Sequence, residues 1–357
     1  MNKNWSKLRP ILQDILDESV EQGEECGLQL AIYDHGELVV DLVSGTDSPD
    51  GGKTVNNQSL FPIFSCGKGV MTTVMHRLVE KGLIGYDTRI GDIWPEFDCN
   101  GKEDIRLWHI MTHRAALHIL PCAQDDPVLA DWGAMTKAVA AMAPAWTPGG
   151  KCAYHGITFA WCMGEVASRV SGKSVRQLVH DEVLAPLGIE NDFFYGTTPE
   201  ADCRFVPVDA SAFPNGQHWC ASFINNPVIR GGVIPSANGV TTARALARHY
   251  AALIGEVDDV RLLSPETIEN ATVLRRAADD PVNGSWAKFG LGYALCGPDD
   301  AMGIRFGHGG ANGSEGFADK ENGIAWALTN NRPLPSHPVH PTRNRLSAAV
   351  GLPPRIW

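Results

Sequence analysis

Nowhere in the 357 residues does an uninterrupted apolar run approach the ~20 residues that a membrane-spanning helix needs. The best candidate, Ala138 to Ala145, is bounded by Lys137 and broken by Pro144. Basic charge is scarce too: 30 Lys and Arg stand against 41 Asp and Glu, a formal net charge of -11. A surface of that sign repels polyphosphates, and no basic, aromatic cluster interrupts it, so nucleic acid and membrane surfaces are not expected partners. The first ten residues lack the apolar core and small-residue cleavage site of a secretory signal, and the expectation is a cytoplasmic chain. The 9 cysteines are odd in number and show no paired spacing, which excludes a simple disulfide framework and suits a reducing compartment. Repeats and low-complexity tracts are missing as well. What is present is a globular composition, 44% hydrophobic and 20% charged, long enough for one large domain or two intimate ones.

Periodicity divides the chain. Trp5, Leu8, Ile11, Leu12, Ile15 and Leu16 form one stripe of an amphipathic helix. Two β-rich runs, Gly27 to Tyr33 and Glu37 to Val43, flank Asp34-His35-Gly36 and predict a hairpin. From about residue 85 to 270 helical signals dominate: Leu107 to Leu117 as a short helix running into a loop, Trp132 to Met142, Ile157 to Ser171 closed by Gly172, and a helix begun by the capping box Ser174-Val175-Arg176-Gln177. Asn191 to Ile234, rich in Pro, Gly, Asn and Asp, reads as a surface loop long enough to be a lid. Thr241 or Thr242 caps a further helix through Leu253. Strand signals return at Phe289 to Leu295, Gly303 to Gly307, Ser314 to Ala318 and Ile324 to Thr329. The expected fold is α+β: an antiparallel sheet built from both chain ends (residues 1–64 and 275–357), flanked by helices, with a mostly helical insertion (65–274) and the active site at their interface.

Chemistry concentrates at Ser65-Cys66-Gly67-Lys68, which opens a helix whose Val70, Met71, Val74, Met75, Leu78 and Val79 recur on one face, with Gly82 where a C-terminal cap belongs. Residues three apart on a first turn share a face. A lysine whose pKa is lowered by desolvation can take a serine proton, so Ser65 and Lys68 form a candidate catalytic pair. The pattern alone also fits an N-capping serine with a solvated lysine, and it recurs at Ser285-Trp286-Ala287-Lys288 behind a run of turn formers, where it reads as coincidence in a loop. Cys66 has no basic cluster nearby in sequence to lower its pKa and reads as a core residue.

Two further motifs, Tyr154-His155-Gly156 and His308-Gly309-Gly310, follow in order, with Trp146-Thr147-Pro148-Gly149, Thr112-His113-Arg114-Ala115-Ala116-Leu117 and Asn238-Gly239-Val240-Thr241-Thr242-Ala243 as flanks. With these the chain, over roughly residues 5 to 350, resembles the serine β-lactamase and penicillin-binding-protein superfamily, in the class C-like branch that includes esterases and acyltransferases. The resemblance implies the β-lactamase-like fold, Ser65 as nucleophile, Lys68 as its base partner and Tyr154 as a proton carrier beside it. It implies an oxyanion hole from the backbone N–H groups of Ser65 and Ala311, with His308, Gly309, Gly310 and His155 on the substrate side. Glycines at 309 and 310 let a substrate approach the backbone closely. Asn312 and Glu315, just after the third motif, are expected to shape an acyl or leaving-group pocket.

Two departures from the β-lactamase pattern bear on substrate. Gly156 stands where those enzymes carry an asparagine that grips the penicillin amide, and His308 where they carry a lysine that grips its carboxylate. Histidine is largely neutral near pH 7. A small-molecule ester or amide is therefore the expected substrate, ahead of a β-lactam or a D-peptide, and the same residues would serve an acyltransferase with an alcohol or amine acceptor. A catalytically silent binding protein is the remaining alternative. No cofactor is expected. His109 and His113 have the i, i+4 spacing of a zinc pair, but Ile110 occupies the place of the required glutamate, so no metal is expected.

Overall fold

The computed structural model describes residues 3–275, 288–297, 302–333 and 341–353. The helix Trp5–Glu21 starts at Asn4, whose side chain accepts the Lys7 N–H, and its stripe buries Leu12 and Leu16. It lies on a six-stranded antiparallel sheet made from β1 (Gly27–Asp34), β2 (Glu37–Gly45), β6 (Ala294–Cys296), β7 (Arg305–Gly309), β8 (Glu315–Asp319) and β9 (Ile324–Asn330), in the order β2-β1-β9-β8-β7-β6. The sheet is therefore drawn from both chain ends, with Leu30 opposite Leu328 and Ala31 opposite Ala327 in the central β1/β9 pair.

Side chains alternate across that pair. Leu28, Leu30, Ile32, Trp326 and Leu328 face the first helix and the C-terminal helix Pro341–Ala349. Ala31, Ala325 and Ala327 face the other way, into the main core. The helix Ala243–Ile254 lies close against β8 on that side: a Cβ on Gly316 would sit 2.7 Å from Tyr250 Cε2 and 2.9 Å from Leu246 Cδ2. Its N-cap is Thr242, as the sequence suggested, through a 3.1 Å hydrogen bond from the Ala245 N–H. The remaining strands, β3 (Phe61–Pro62), β4 (Phe193–Tyr195) and β5 (Gly239–Thr241), form a second sheet in the order β3-β5-β4. It fixes the entry to the Ser65 helix, because β3 ends three residues before the serine.

Two local expectations change. Asn191 to Ile234 is not a bare surface loop: it holds β4 and the helices Trp219–Ile224 and Pro227–Gly231, and Phe223, Ile224, Ile229 and Ile234 are fully buried. Each element is too short to show a period, and tertiary burial rather than propensity holds it. The strand expected over Phe289 to Leu295 joins the sheet only at Ala294–Cys296, with Phe289 folded back on Ala294 in an isolated bridge, because Gly292 turns the chain with φ +85° and donates its N–H to Met111 O. As expected, the helix from Leu107 is short, ending at Met111, and runs into a loop in which His113 and Ala116 both adopt positive φ, 57° and 58°. The second Ser-x-x-Lys lies outside the described residues except for Lys288. No described helix is long and apolar enough to cross a membrane.

Candidate active site

Ser65 sits in a tight turn, Phe64–Cys66, that runs directly into the helix Gly67–Glu80. Phe64 takes φ +44°, a conformation that bulky side chains rarely adopt. Its ring is held from outside by Trp219 and Phe223, with centroids 5.6 and 6.2 Å away. Cys66 points the opposite way and is fully buried, its thiol donating to His308 O at 3.3 Å and Ser314 O at 3.4 Å. Burial pushes that thiol's pKa up, so it is a staple between the serine turn and β7 rather than a second nucleophile. Gly67 and Gly69 flank the lysine for a steric reason: a Cβ there would come within 2.9 Å of Tyr195 Cε1 and 2.3 Å of Tyr250 Oη.

Lys68 is fully buried. Its Nζ lies 3.0 Å from Ser65 Oγ, 2.6 Å from Gly156 O and 2.8 Å from Ser236 O. Desolvation holds the amine well below the ordinary lysine pKa. A neutral amine has two N–H groups and one lone pair. In that neutral form the two carbonyls, which only accept, would take both N–H groups and leave the lone pair for the Ser65 hydroxyl. The carbonyls are set by their own neighbours: Ser236 Oγ donates to Ile157 O at 2.8 Å, and Asn238 bridges Ile229 O, Gly232 O and the Ile234 N–H.

Tyr154 reaches the same place from the opposite side. Its phenol oxygen is 3.3 Å from His308 Nε2, and its ring lies 4.9 Å from Lys68 Nζ. The His308 Nδ1 sits 2.7 Å from Gly309 O, which only accepts, so the neutral ring carries its proton on Nδ1 and presents a bare Nε2 to the phenol. Desolvation, reinforced by the nearby Lys68, pulls the His308 pKa down to about 3. Burial moves Tyr154 the other way, upward, against the opposing effect of its hydrogen bond with Ser65. At neutral pH the phenol is thus protonated and donates to His308.

The turn after β7 closes the far side. Gly310 N–H goes to Ser314 O at 2.7 Å, while Ala311 is exposed at the tip. A Cβ on Gly310 would lie 2.6 Å from Ile63 O, so this turn rests against the backbone just before the serine. Asn312 and Glu315 do not face a substrate pocket as expected. Asn312 is fully buried and donates to Pro62 O, Ser314 Oγ and Asn330 O at 2.9, 3.0 and 2.6 Å. Glu315 is equally buried, 3.5 Å from Arg343 of the C-terminal helix. His155 is also internal: it accepts the Leu117 N–H on Nε2 at 3.0 Å and has Nδ1 3.2 Å from His113 Nδ1, so it supports the tyrosine loop instead of lining a pocket.

Ser65, Lys68, Tyr154 and His308 are therefore brought together from three separate stretches. Sequence reasoning missed the Gly156 and Ser236 carbonyls, Phe64 and Phe289, which stacks on Tyr154 at 5.9 Å. A backbone carbonyl leaves no residue-type signal; only the Asn238 turn hinted at one. His109 and His113 do not pair for metal, since His109 Nδ1 accepts the Arg106 N–H and His113 lies beyond the helix end.

A family model described as Beta-lactamase matches residues 12–349. Among characterised proteins, the chain is 35% identical over 344 residues to the esterase/beta-lactamase LipL of Mycobacterium tuberculosis, covering 86% of this chain and 77% of that one. Among solved structures it superimposes on a family VIII carboxylesterase with a TM-score of 0.86 at 28% identity, covering 96% of each chain. It also matches a penicillin-binding-protein homologue from Caulobacter crescentus, with a TM-score of 0.82 and 28% identity over 98% of this chain and 96% of that one. The fold, its ordered motifs and these relatives place the chain in the beta-lactamase family, within the part of the superfamily where esterases and penicillin-binding-protein homologues meet.

Proposed function

We propose that the protein is a serine hydrolase that cleaves a small-molecule ester or amide through an acyl-enzyme on Ser65. The observation that carries this reading is the buried Lys68 Nζ, 3.0 Å from Ser65 Oγ, 2.6 Å from Gly156 O and 2.8 Å from Ser236 O: in the neutral amine the two carbonyls take the N–H groups and the lone pair is left for the serine. Ser65 passes its proton to Lys68 as Oγ bonds to the substrate carbonyl carbon. Negative charge on the carbonyl oxygen meets the N–H groups of Ser65 and Ala311, a role favoured by the close approach of the Gly310 turn to Ile63. The Tyr154 O–H protonates the leaving oxygen or nitrogen as its bond to carbon breaks, and the Lys68 ammonium returns a proton to the phenolate. Water then repeats the sequence: it gives a proton to Lys68, attacks the acyl carbon, and Ser65 Oγ leaves with that proton.

Lys68 rather than Tyr154 takes the first proton in this scheme, because burial lowers the amine's pKa and raises the phenol's. An uncharged group is the better substrate match, since neutral His308 offers no cation to a carboxylate. The esterase relatives point the same way. Intact-mass analysis after a fluorophosphonate probe is the test. The wild type should gain one adduct and Ser65→Ala none; equal labelling of both would remove the nucleophile. Faster turnover of a p-nitrophenyl ester with an added amine or alcohol, giving the acylated acceptor, would mark an acyltransferase instead.

A further inference from the structure

We propose that His113 is the positioning residue for Tyr154, holding the backbone on both sides of the tyrosine as well as its ring. The inference rests on Tyr154 as the proton donor proposed above. His113 is fully buried, just past the end of the helix Leu107–Met111, with φ 57°. Its carbonyl accepts the Ala153 N–H at 2.9 Å, and its Nδ1 accepts the His155 N–H at 3.1 Å. The residues immediately before and after Tyr154 are thus both bonded to this one histidine. Its imidazole also meets the phenol ring at 4.7 Å and 61°, and the Phe289 ring at 4.4 Å and 70°, while Phe289 stacks on the far part of the phenol.

The proton arrangement is fixed by backbone donors. The Leu117 N–H occupies His155 Nε2, so the neutral His155 ring carries hydrogen on Nδ1 and directs it at His113 Nδ1. His113 Nδ1 therefore accepts twice, and its own hydrogen stays on Nε2. That Nε2 is buried and has no hydrogen-bond partner among the described residues, on a ring packed edge-to-face with Tyr154 and Phe289. A buried donor without a lone-pair acceptor is unfavourable. It makes sense where the ring's position is what matters: the imidazole packs against the phenol and holds the loop through Nδ1. Burial pulls the pKa of both imidazoles down, that of His155 to about 3, so the tautomers persist through neutral pH.

The test is a double-mutant cycle between position 113 and Tyr154, read as kcat and KM for p-nitrophenyl butyrate alongside thermal stability. His113→Leu removes the Nδ1 acceptor, and a displacement of the phenol near 1 Å should lower kcat about 100-fold with KM little changed. His113→Asn places an oxygen near the Nδ1 position and should keep kcat within about tenfold of wild type. In a Tyr154→Phe background either loss should shrink to less than about threefold, because residues acting through one another are not additive. A His113 loss that multiplies independently of Tyr154→Phe would overturn the proposal, as would a folded His113→Leu with wild-type kcat. If the leucine variant does not fold, the asparagine cycle decides by the same criterion. Full activity in Tyr154→Phe, with Ser65→Ala inactive, would instead remove the proton role of Tyr154 and this inference with it.

Discussion

Two buried polar networks meet at the serine turn, and they differ in one respect. On one side Lys68 binds Gly156 O and Ser236 O and keeps a lone pair for Ser65. On the other, Asn312, Ser314 and Asn330 satisfy one another and the carbonyl of Pro62: Asn312 donates to Pro62 O and Asn330 O, Ser314 Oγ lies 3.1 Å from Asn330 Oδ1, and Asn330 donates back to Asn312 O at 3.0 Å. Both networks are rich in backbone carbonyls. The second is closed on itself; the first ends at the partly exposed Ser65, and that open end is where the proposed chemistry would occur. A fully satisfied network rigidifies, whereas a single reactive gap inside a low-dielectric site is worth far more than in water.

The largest expected effect comes from removing the open end. Lys68→Met keeps the volume and should lower kcat/KM for p-nitrophenyl butyrate by about 10²–10⁴-fold while the circular dichroism spectrum stays native; near-wild-type turnover would mean that the lone pair has no catalytic part. Breaking the closed network should read out as stability. Asn312→Ala strips partners from the buried Pro62 and Asn330 carbonyls and should reduce unfolding free energy by about 2–4 kcal/mol in denaturant titrations, with Ser65 still labelled in the folded fraction. Loss of labelling in a folded Asn312→Ala sample would show that the two networks are one.

A further expectation concerns the buried imidazoles. His76, His155, His249 and His308 are buried with pKa values pulled by desolvation to about 4, 3, 3 and 3. The unfolded chain then binds protons that the folded one refuses. Stability is full above about pH 6.5 and falls as pH drops below it, by up to about 2 kcal/mol per imidazole on reaching pH 5. Thermal unfolding at pH 7 and pH 5 checks this: the midpoint should fall, and His249→Gln, remote from Ser65, should flatten the slope without changing the Ser65 labelling rate. An unchanged midpoint would contradict the neutral imidazoles assigned to both the tyrosine loop and the core.

How much of this is legible in the sequence follows from the same contrast. The Ser65 helix, the Thr242 cap and the hairpin around Asp34-His35-Gly36 are written in side-chain period and turn chemistry, and the structure carries all three. Ser65 and Lys68 could be paired from helical spacing, and Tyr154 and His308 from motif order. Asn312 and Glu315 misled because proximity in sequence to a motif says nothing about which way a side chain turns; both point into the protein. The carbonyls that leave the lone pair of Lys68 for the serine, and the positive φ of Phe64, belong to backbone conformation. Any residue type can supply a carbonyl, so no pattern of residue types could have named them.

The pairing of β1 with β9 has a temporal consequence. Leu28 meets Asn330, so the middle of the sheet joins residues far apart along the chain, the first made well before the second. A chain dominated by such distant pairings folds slowly, and its early hairpin waits with an unpaired edge. The Ser65 helix can form long before His308 and Ala311 exist, but the cleft between them cannot. A nascent chain would therefore hold Ser65 without the groups proposed to act with it, and the proposed acyl chemistry would switch on only when β7, β8 and β9 are in place.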